Sequence, residues 1–315
     1  MPDFLELTEN QSRQYIDAQA LMRAQGEALE DAAQVRGSMI WRELRGVRYL
    51  IRTSAASAQK TIGPDSADTQ AIYSRFMERK QAVTARVKSL AARLEEQRKL
   101  NRVYGVGRAP NVIVKVLDAL QKAGIASQFL TIGTNAIYAY ESACGVRVGN
   151  EAMATRDMDL LFDTRQRTAF VSTLRRLDSS LLAVLRKADP SFRVLRNQLQ
   201  TAVNDDGYEV DIIRRTAKDG DPHPLRMSPS EDDLWAVRVS SGEKMVAGRK
   251  FQQLVVSSSG QMAMMQTLHP LDFVRIKTSL SSDPQRDPLK RPKDRLQAEV
   301  VQGLWDSYLQ HREAA

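Results

Sequence analysis

Thr155-Arg156-Asp157-Met158-Asp159-Leu160-Leu161-Phe162 sets two carboxylates one residue apart inside an apolar run. Side chains alternate across a strand, so Asp157 and Asp159 share one face while Met158, Leu160 and Phe162 take the other. Neighbouring acids repel, and burying either one alone is costly. A divalent cation relieves both problems, because hard oxygen ligands suit magnesium or manganese. An edge strand with two solvated acids carries the same pattern, so other residues have to decide.

Two flanking segments bear on that choice. Phe129-Leu130-Thr131-Ile132 reads as a short buried strand running into Gly133-Thr134-Asn135, with a helix expected through Ala136 to Tyr140. Free backbone N–H groups and the positive end of a helix make such a turn a phosphate cradle, although many strand-to-helix turns hold nothing. Tyr208 to Ile213 reads as a later strand on which Glu209, Asp211 and Ile213 share a face. Asp157, Asp159 and Asp211 on neighbouring strands can enclose two cations about 3.5–4 Å apart. Such a pair activates an attacking hydroxyl and stabilises a leaving pyrophosphate. No Gly-x-x-x-x-Gly-Lys phosphate loop occurs, and Gly105-x-Gly107 lacks the preceding strand of a dinucleotide fingerprint.

The remaining pattern divides the chain into residues 1–104, 105–225 and 226–315. Residues 1–104 read as helical without strand-like alternation. The clearest stripe there is Ile72, Phe76, Val83, Val87, Leu90 and Leu94, which predicts a helix over 68–100. Trp41 to Ile51 reads as another helix, separated from it by a loop at Thr61–Ser66. Pro110 to Gly124 and Thr168 to Lys187 read as helices, and strands are expected near 192–195, 199–203, 254–256 and 262–265. An Asp-, Pro- and Gly-rich loop follows Ile213, and helices at about 270–281 and 294–310 close the chain. This mixed order implies an α/β or α+β core with helical flanks.

Composition narrows the partners. The 315 residues are 42% hydrophobic and 27% charged, as in ordinary globular proteins. A formal charge of +8 and a pI near 9.6 favour polyanions such as nucleotides or RNA. Only 6% of residues are aromatic, which argues against an extended channel of stacking platforms. Cys144 is the single cysteine, so no disulfide forms within the chain. An acidic start, and apolar runs short of the ~20 residues that span a bilayer, lead to an expectation of a cytoplasmic protein with no membrane contact. His223, His269 and His311 form no zinc motif, and Met262, Met264 and Met265 read as core filler.

The order Gly133-Thr134, Asp157-x-Asp159 and a later strand Asp211 resembles the DNA polymerase β-type nucleotidyltransferase superfamily. Ile132 to Glu141 followed by Ala154 to Asp163 is closer still to a bacterial family of nucleotidyltransferase-fold proteins. That likeness extends to Ile62-Gly63-Pro64, Thr69, Ile72-Tyr73, Phe76 and Asn101-Arg102, and covers about Arg45 to Leu304. It implies an α+β fold whose mixed-sheet, polymerase β-like core sits beside a helical N-terminal region and C-terminal helices. It implies an enzyme that moves a nucleoside monophosphate from an NTP to an acceptor hydroxyl, releasing pyrophosphate, with Mg2+ or Mn2+. In that scheme Asp157, Asp159 and Asp211 hold metal, and Asp211 also serves as base. Gly133, Thr134, Lys277, Arg291 and Lys293 hold the triphosphate, and ATP is an expected nucleotide. Asp294 either joins this basic cluster or caps the last helix. The acceptor stays open: RNA such as tRNA, a small molecule, or a protein. A non-catalytic nucleotide- or RNA-binding module of a toxin–antitoxin or defence system, or a protein partner docked on the N-terminal helices, also stays open. The 22 residues at 135–156 exceed the usual superfamily spacing, and are expected to form a loop or hairpin beside the site.

Overall fold

A computed structural model describes residues 4–54, 57–217 and 224–312. His223 and most of the Asp- and Pro-rich stretch before it lie outside the described residues. In chain order the elements are β1 (Leu5–Glu6), α1 (Glu9–Gln34), β2 (Ser38–Leu44), β3 (Val47–Thr53), β4 (Gln59–Pro64) and α2 (Ala67–Val103). There follow α3 (Asn111–Lys122), β5 (Phe129–Ile132), α4 (Ile137–Cys144), β6 (Val146–Arg147), α5 (Asn150–Met153), β7 (Asp157–Phe162), α6 (Arg167–Arg176) and α7 (Leu181–Ala188). Next come β8 (Arg193–Leu195), β9 (Gln198–Val203), β10 (Glu209–Arg215), β11 (Leu225–Arg226), β12 (Trp235–Val239) and α8 (Gly242–Ala247). The last are β13 (Lys250–Val256), β14 (Met262–Leu268), α9 (Pro270–Ser282) and α10 (Arg291–Leu304). No described helix is long and apolar enough to cross a membrane.

The chain divides into two compact units, Gln14–Leu100 and the combination of 1–13 with Asn101–Ala315. In the smaller unit Leu21, Ala28 and Leu90 form a buried seam between α1 and α2. Its middle corrects the sequence reading. Trp41 to Ile51 is not a helix but the antiparallel hairpin of β2 and β3, with Leu44 paired to Val47. Arg45 and Gly46 turn it with φ of 52° and 75°, the two positive values of a tight hairpin turn. Most of the expected loop at Thr61–Ser66 is β4, the third strand of that sheet. Thr69 then anchors the start of α2, its hydroxyl donating to the Pro64 carbonyl at 2.9 Å.

The larger unit is built on a nine-stranded mixed sheet in the order β11-β12-β10-β7-β5-β14-β13, with β9 and β8 joined to one side of β10. It is α+β with helices on both faces, an architecture consistent with a nucleotidyltransferase-type fold. Met158, Leu160, Phe162, Val210 and Ile212 pack with α3, α6 and α7 on one face. Leu130, Ile132, Leu161 and Ile213 pack with Met245, Val246 and Leu268 on the other. A third cluster links α4, α5, α9 and α10 through Ile137, Tyr140, Met153, Phe273 and Val301.

Further elements of the larger unit differ from the sequence reading. The single helix expected at Thr168–Lys187 breaks into α6 and α7 around Asp178, whose φ is 45°. Asp233, remote in sequence, accepts the Leu181 and Leu182 N–H groups and starts α7 afresh. The helix expected at Ala136–Tyr140 is α4, and the rest of 135–156 forms β6 and α5 in place of the expected loop or hairpin, with β6 paired to β1. Buried Glu141 ties this segment down through an ion pair with Arg108 and by accepting the Val148 N–H at 2.6 Å. The last helix starts at Arg291 rather than Asp294 and widens after Leu304. Met265 is core as expected, whereas Met262 and Met264 are half-buried.

Gly107 marks a close approach of backbone to backbone. A Cβ there would lie 2.1 Å from the Val256 carbonyl oxygen, beside the Ala109 N–H bond to that same oxygen. Gly107→Ala should therefore destabilise the larger unit by about 1–3 kcal/mol, as overpacking does. Thermal denaturation monitored by circular dichroism reads this, and an unchanged melting temperature contradicts it.

Candidate active site

Register brings the three acids together. Parallel β7 and β10 pair Asp157 with Glu209 and Asp159 with Asp211, while antiparallel β5 sets Ile132 opposite Asp159. The even-numbered residues of β7 and β10 are locked into the core, so the odd-numbered acids all emerge on the other face. Carboxylate oxygens of Asp157, Asp159 and Asp211 lie within 4.8 Å of one another.

Their electrostatics follow from that crowding. Burial, then the charges of Asp157 and Asp211, push the Asp159 carboxyl up from 3.8 to about 7, with Lys277 and Lys290 opposing. Burial raises Asp211 as well, offset by a hydrogen bond from the Thr201 hydroxyl at 2.5 Å. The Thr155 hydroxyl donates to Asp157, and Asn135 Nδ2 donates to the Asp157 carbonyl at 2.6 Å. Thr201 on neighbouring β9 thus orients Asp211, and Thr155 orients Asp157. A hard-oxygen donor set of three mutually repelling carboxylates fits a divalent cation such as magnesium or manganese.

Gly133 adjoins the acids directly. Its φ is 68°, and a Cβ on it would lie 2.5 Å from Asp159 Oδ2, so both conformation and space require glycine here. Residues Gly133–Ala136 make one tight turn leading into α4. Thr134 Oγ1 accepts a hydrogen bond from Gln297 Nε2 at 3.0 Å, and Gln297 also donates to the Ala152 carbonyl at 2.8 Å. With Gln297 as donor, the Thr134 proton is left to point at an incoming acceptor.

The basic residues divide by what they touch. Lys277 is buried on α9 and donates to Asp294 at 2.7 Å, while Arg286 holds the other Asp294 oxygen at 2.8 Å. Burial pulls the Lys277 ammonium below its ordinary value, and Asp294 opposes this. Asp294 is therefore the partner of Lys277, and no capping hydrogen bond comes from it. Arg291 donates to the Arg286 and Pro284 carbonyls, bracing the preceding turn. Lys293 donates to the Ala154 carbonyl at 2.5 Å, just ahead of the acid strand.

Sequence reasoning missed Lys290, Gln297 and Thr201. Lys290, which flanks the start of α10, and Asp294 and Gln297 within it are spaced i, i+4 and i+7, which aligns them along one side of the helix. Gln297 sits on the cradle threonine and Asp294 on Lys277, so the exposed Lys290 ends the stripe, where its charge acts on Asp159 and Asp211. A helix expected to begin at Asp294 left Lys290 outside the stripe. Elsewhere His269 accepts the Leu271 N–H at the start of α9, His311 is exposed, and Cys144 is half-buried.

Residues 111–315 match a protein family described as nucleotidyltransferase. No curated protein and no solved structure matches the chain.

Two outcomes follow from the geometry. Gly133→Ala should abolish metal and nucleotide binding, and calorimetric titration with Mn2+ checks it; wild-type affinity contradicts it. A carboxyl whose folded value lies above its unfolded 3.8 favours the folded state while protonated. The metal-free protein should therefore lose stability as pH rises from about 4 to about 7. Mn2+ should restore that stability increasingly over the same range, since the cation competes with the proton. Melting temperatures with and without Mn2+ across this range read both trends.

Proposed function

The chain belongs to the nucleotidyltransferase family, and from that premise we propose that it transfers a nucleoside monophosphate from an NTP to an acceptor hydroxyl, releasing pyrophosphate. The observation that carries this reading is the convergence of three carboxylates beside a glycine turn whose threonine hydroxyl is free to donate. Asp157 and Asp159 would hold magnesium or manganese, which supplies charge neutralisation at the transferring phosphoryl group. Thr201 occupies Oδ1 of Asp211, leaving Oδ2 to take the proton of the acceptor hydroxyl or to join a metal.

Gly133 and Thr134 would receive the β- and γ-phosphates through backbone N–H groups and the threonine proton. Lys277 has two N–H donors beyond the one given to Asp294, and Lys290 brings a second ammonium. A compact ammonium suits phosphate contact. Arg291 and Lys293 act through backbone carbonyls: they fix the turn that presents Lys290 and the segment that leads into Asp157. RNA is the acceptor class favoured by the +8 charge.

Purified protein incubated with each labelled NTP, Mn2+ and separate RNA, protein and metabolite fractions tests this. Label should enter RNA and vanish in Asp157→Asn and Asp159→Asn. Lys290→Ala should raise the KM for NTP several-fold with a smaller fall in kcat, while Lys290→Arg recovers part of the loss. Label in the protein or metabolite fraction instead would move the acceptor to that class, and no label in any fraction contradicts transfer.

A further inference from the structure

Away from the acids, a cavity of about 350 Å³ opens between α6 and the β11–β12 edge of the sheet. Arg167, Val171 and Arg175 line one wall at i, i+4 and i+8 along α6, a single helical stripe. The opposite wall is Arg226 and Trp235, directly paired across the two strands, with the guanidinium 5.2 Å from the indole centre. Met227 lines it as well and is itself part of the buried core.

Charge sets this cavity apart. Among the described residues no carboxylate lines it. The groove along α9 carries Asp272 and Asp283, and the one between α1 and α2 carries Asp17 and Glu96. Arg167 and Arg175 have no salt-bridge partner among the described residues, and Arg226 donates only to the Ser230 carbonyl. Three cationic planes that repel one another around an indole face are stabilised by an anion with a flat apolar part. A nucleotide has both: its phosphate matches the arginines and its base stacks on tryptophan or a guanidinium plane.

Topology relates the cavity to the acid-bearing strands. β9 flanks β10 as far as Asp211, opposite Thr201, and β12 takes over that side from Ile213, opposite Val237. Asp211 and Trp235 each lie two residues, or about 7 Å, before the Ile213–Val237 pairing. The cavity and the acid that faces the acceptor hydroxyl thus belong to adjacent strands of one sheet. We infer that the Arg167–Arg175–Arg226–Trp235 cavity binds a nucleotide unit of a single-stranded nucleic acid. A single stacking residue accords with the low aromatic content, since this is one subsite and not a channel. The inference deepens the transferase reading and rests on it for the fate of the strand, but binding is measured without turnover.

Fluorescence anisotropy of a labelled single-stranded oligoribonucleotide on the full chain provides the test. Arg167→Ala combined with Arg175→Ala should weaken binding at least tenfold. It should also lower the slope of log affinity against log salt by about 1.4, two phosphate contacts at about 0.7 each. Trp235→Phe should weaken binding less than Trp235→Ala, and all variants should keep wild-type affinity for Mn2+ and ATP, which also reports that they are folded. Asp159→Asn should bind the strand normally, so a failure of transfer is distinguishable from a failure of the cavity. Unchanged strand affinity in the double arginine variant overturns the inference. So does an affinity for the oligonucleotide no greater than for a nucleoside monophosphate or inorganic phosphate.

Discussion

Mutual repulsion among Asp157, Asp159 and Asp211 is the constraint on which the larger unit turns. At an effective dielectric near 20, two ionised carboxylates at the widest separation of 4.8 Å repel by about 3.5 kcal/mol. The fold holds them there through the in-register parallel pairing of β7 with β10, whose alternate residues Met158, Leu160, Val210 and Ile212 are fully buried. A slip of one residue would drive the acids into that core, so burial of the apolar set fixes the acid set. Burial first, and then that repulsion, raise the Asp159 carboxyl to about 7, where a cation competes with its proton.

A second layer of residues turns the acid cluster into a site with direction. α10 reaches the cradle through Gln297, the buried ion pair through Asp294 and the acids through the charge of Lys290. Arg286 shares Asp294 with Lys277, so the buried carboxylate is doubly compensated. Breaking such a pair on one side leaves a buried charge unpaired, which accounts for the commitment of two cations to one acid. α10 therefore couples the phosphate turn to the acid strand mechanically as well as electrostatically.

Much of the core was legible in sequence because its signals are local. The apolar run Phe129–Ile132 and the acid–apolar alternation at Asp157–Phe162 and Glu209–Ile213 report strands directly, and the structure returns those strands. The hairpin at Trp41–Ile51 escaped because Trp41, Leu44, Val47 and Leu50 recur every three residues, close to a helical period. The turn signal lay in Gly46, preceded by Arg45 and not by the asparagine or aspartate that usually announces such a turn. Other features were out of reach for a physical reason: they join residues distant in sequence. Asp233 starting α7, Lys277 pairing with Asp294, and Gln297 bonding Thr134 are tertiary facts with no local trace. Lys290 lay between the two, its stripe visible only once the start of α10 was known.

The central claim is that the three acids form a cation site facing a bound triphosphate. Anomalous diffraction from crystals grown with Mn2+ and a non-hydrolysable NTP analogue tests it most directly. The account predicts manganese peaks among the carboxylates of Asp157, Asp159 and Asp211, with the triphosphate against Gly133 and Thr134. Manganese absent from those carboxylates, with the analogue bound elsewhere, would contradict it.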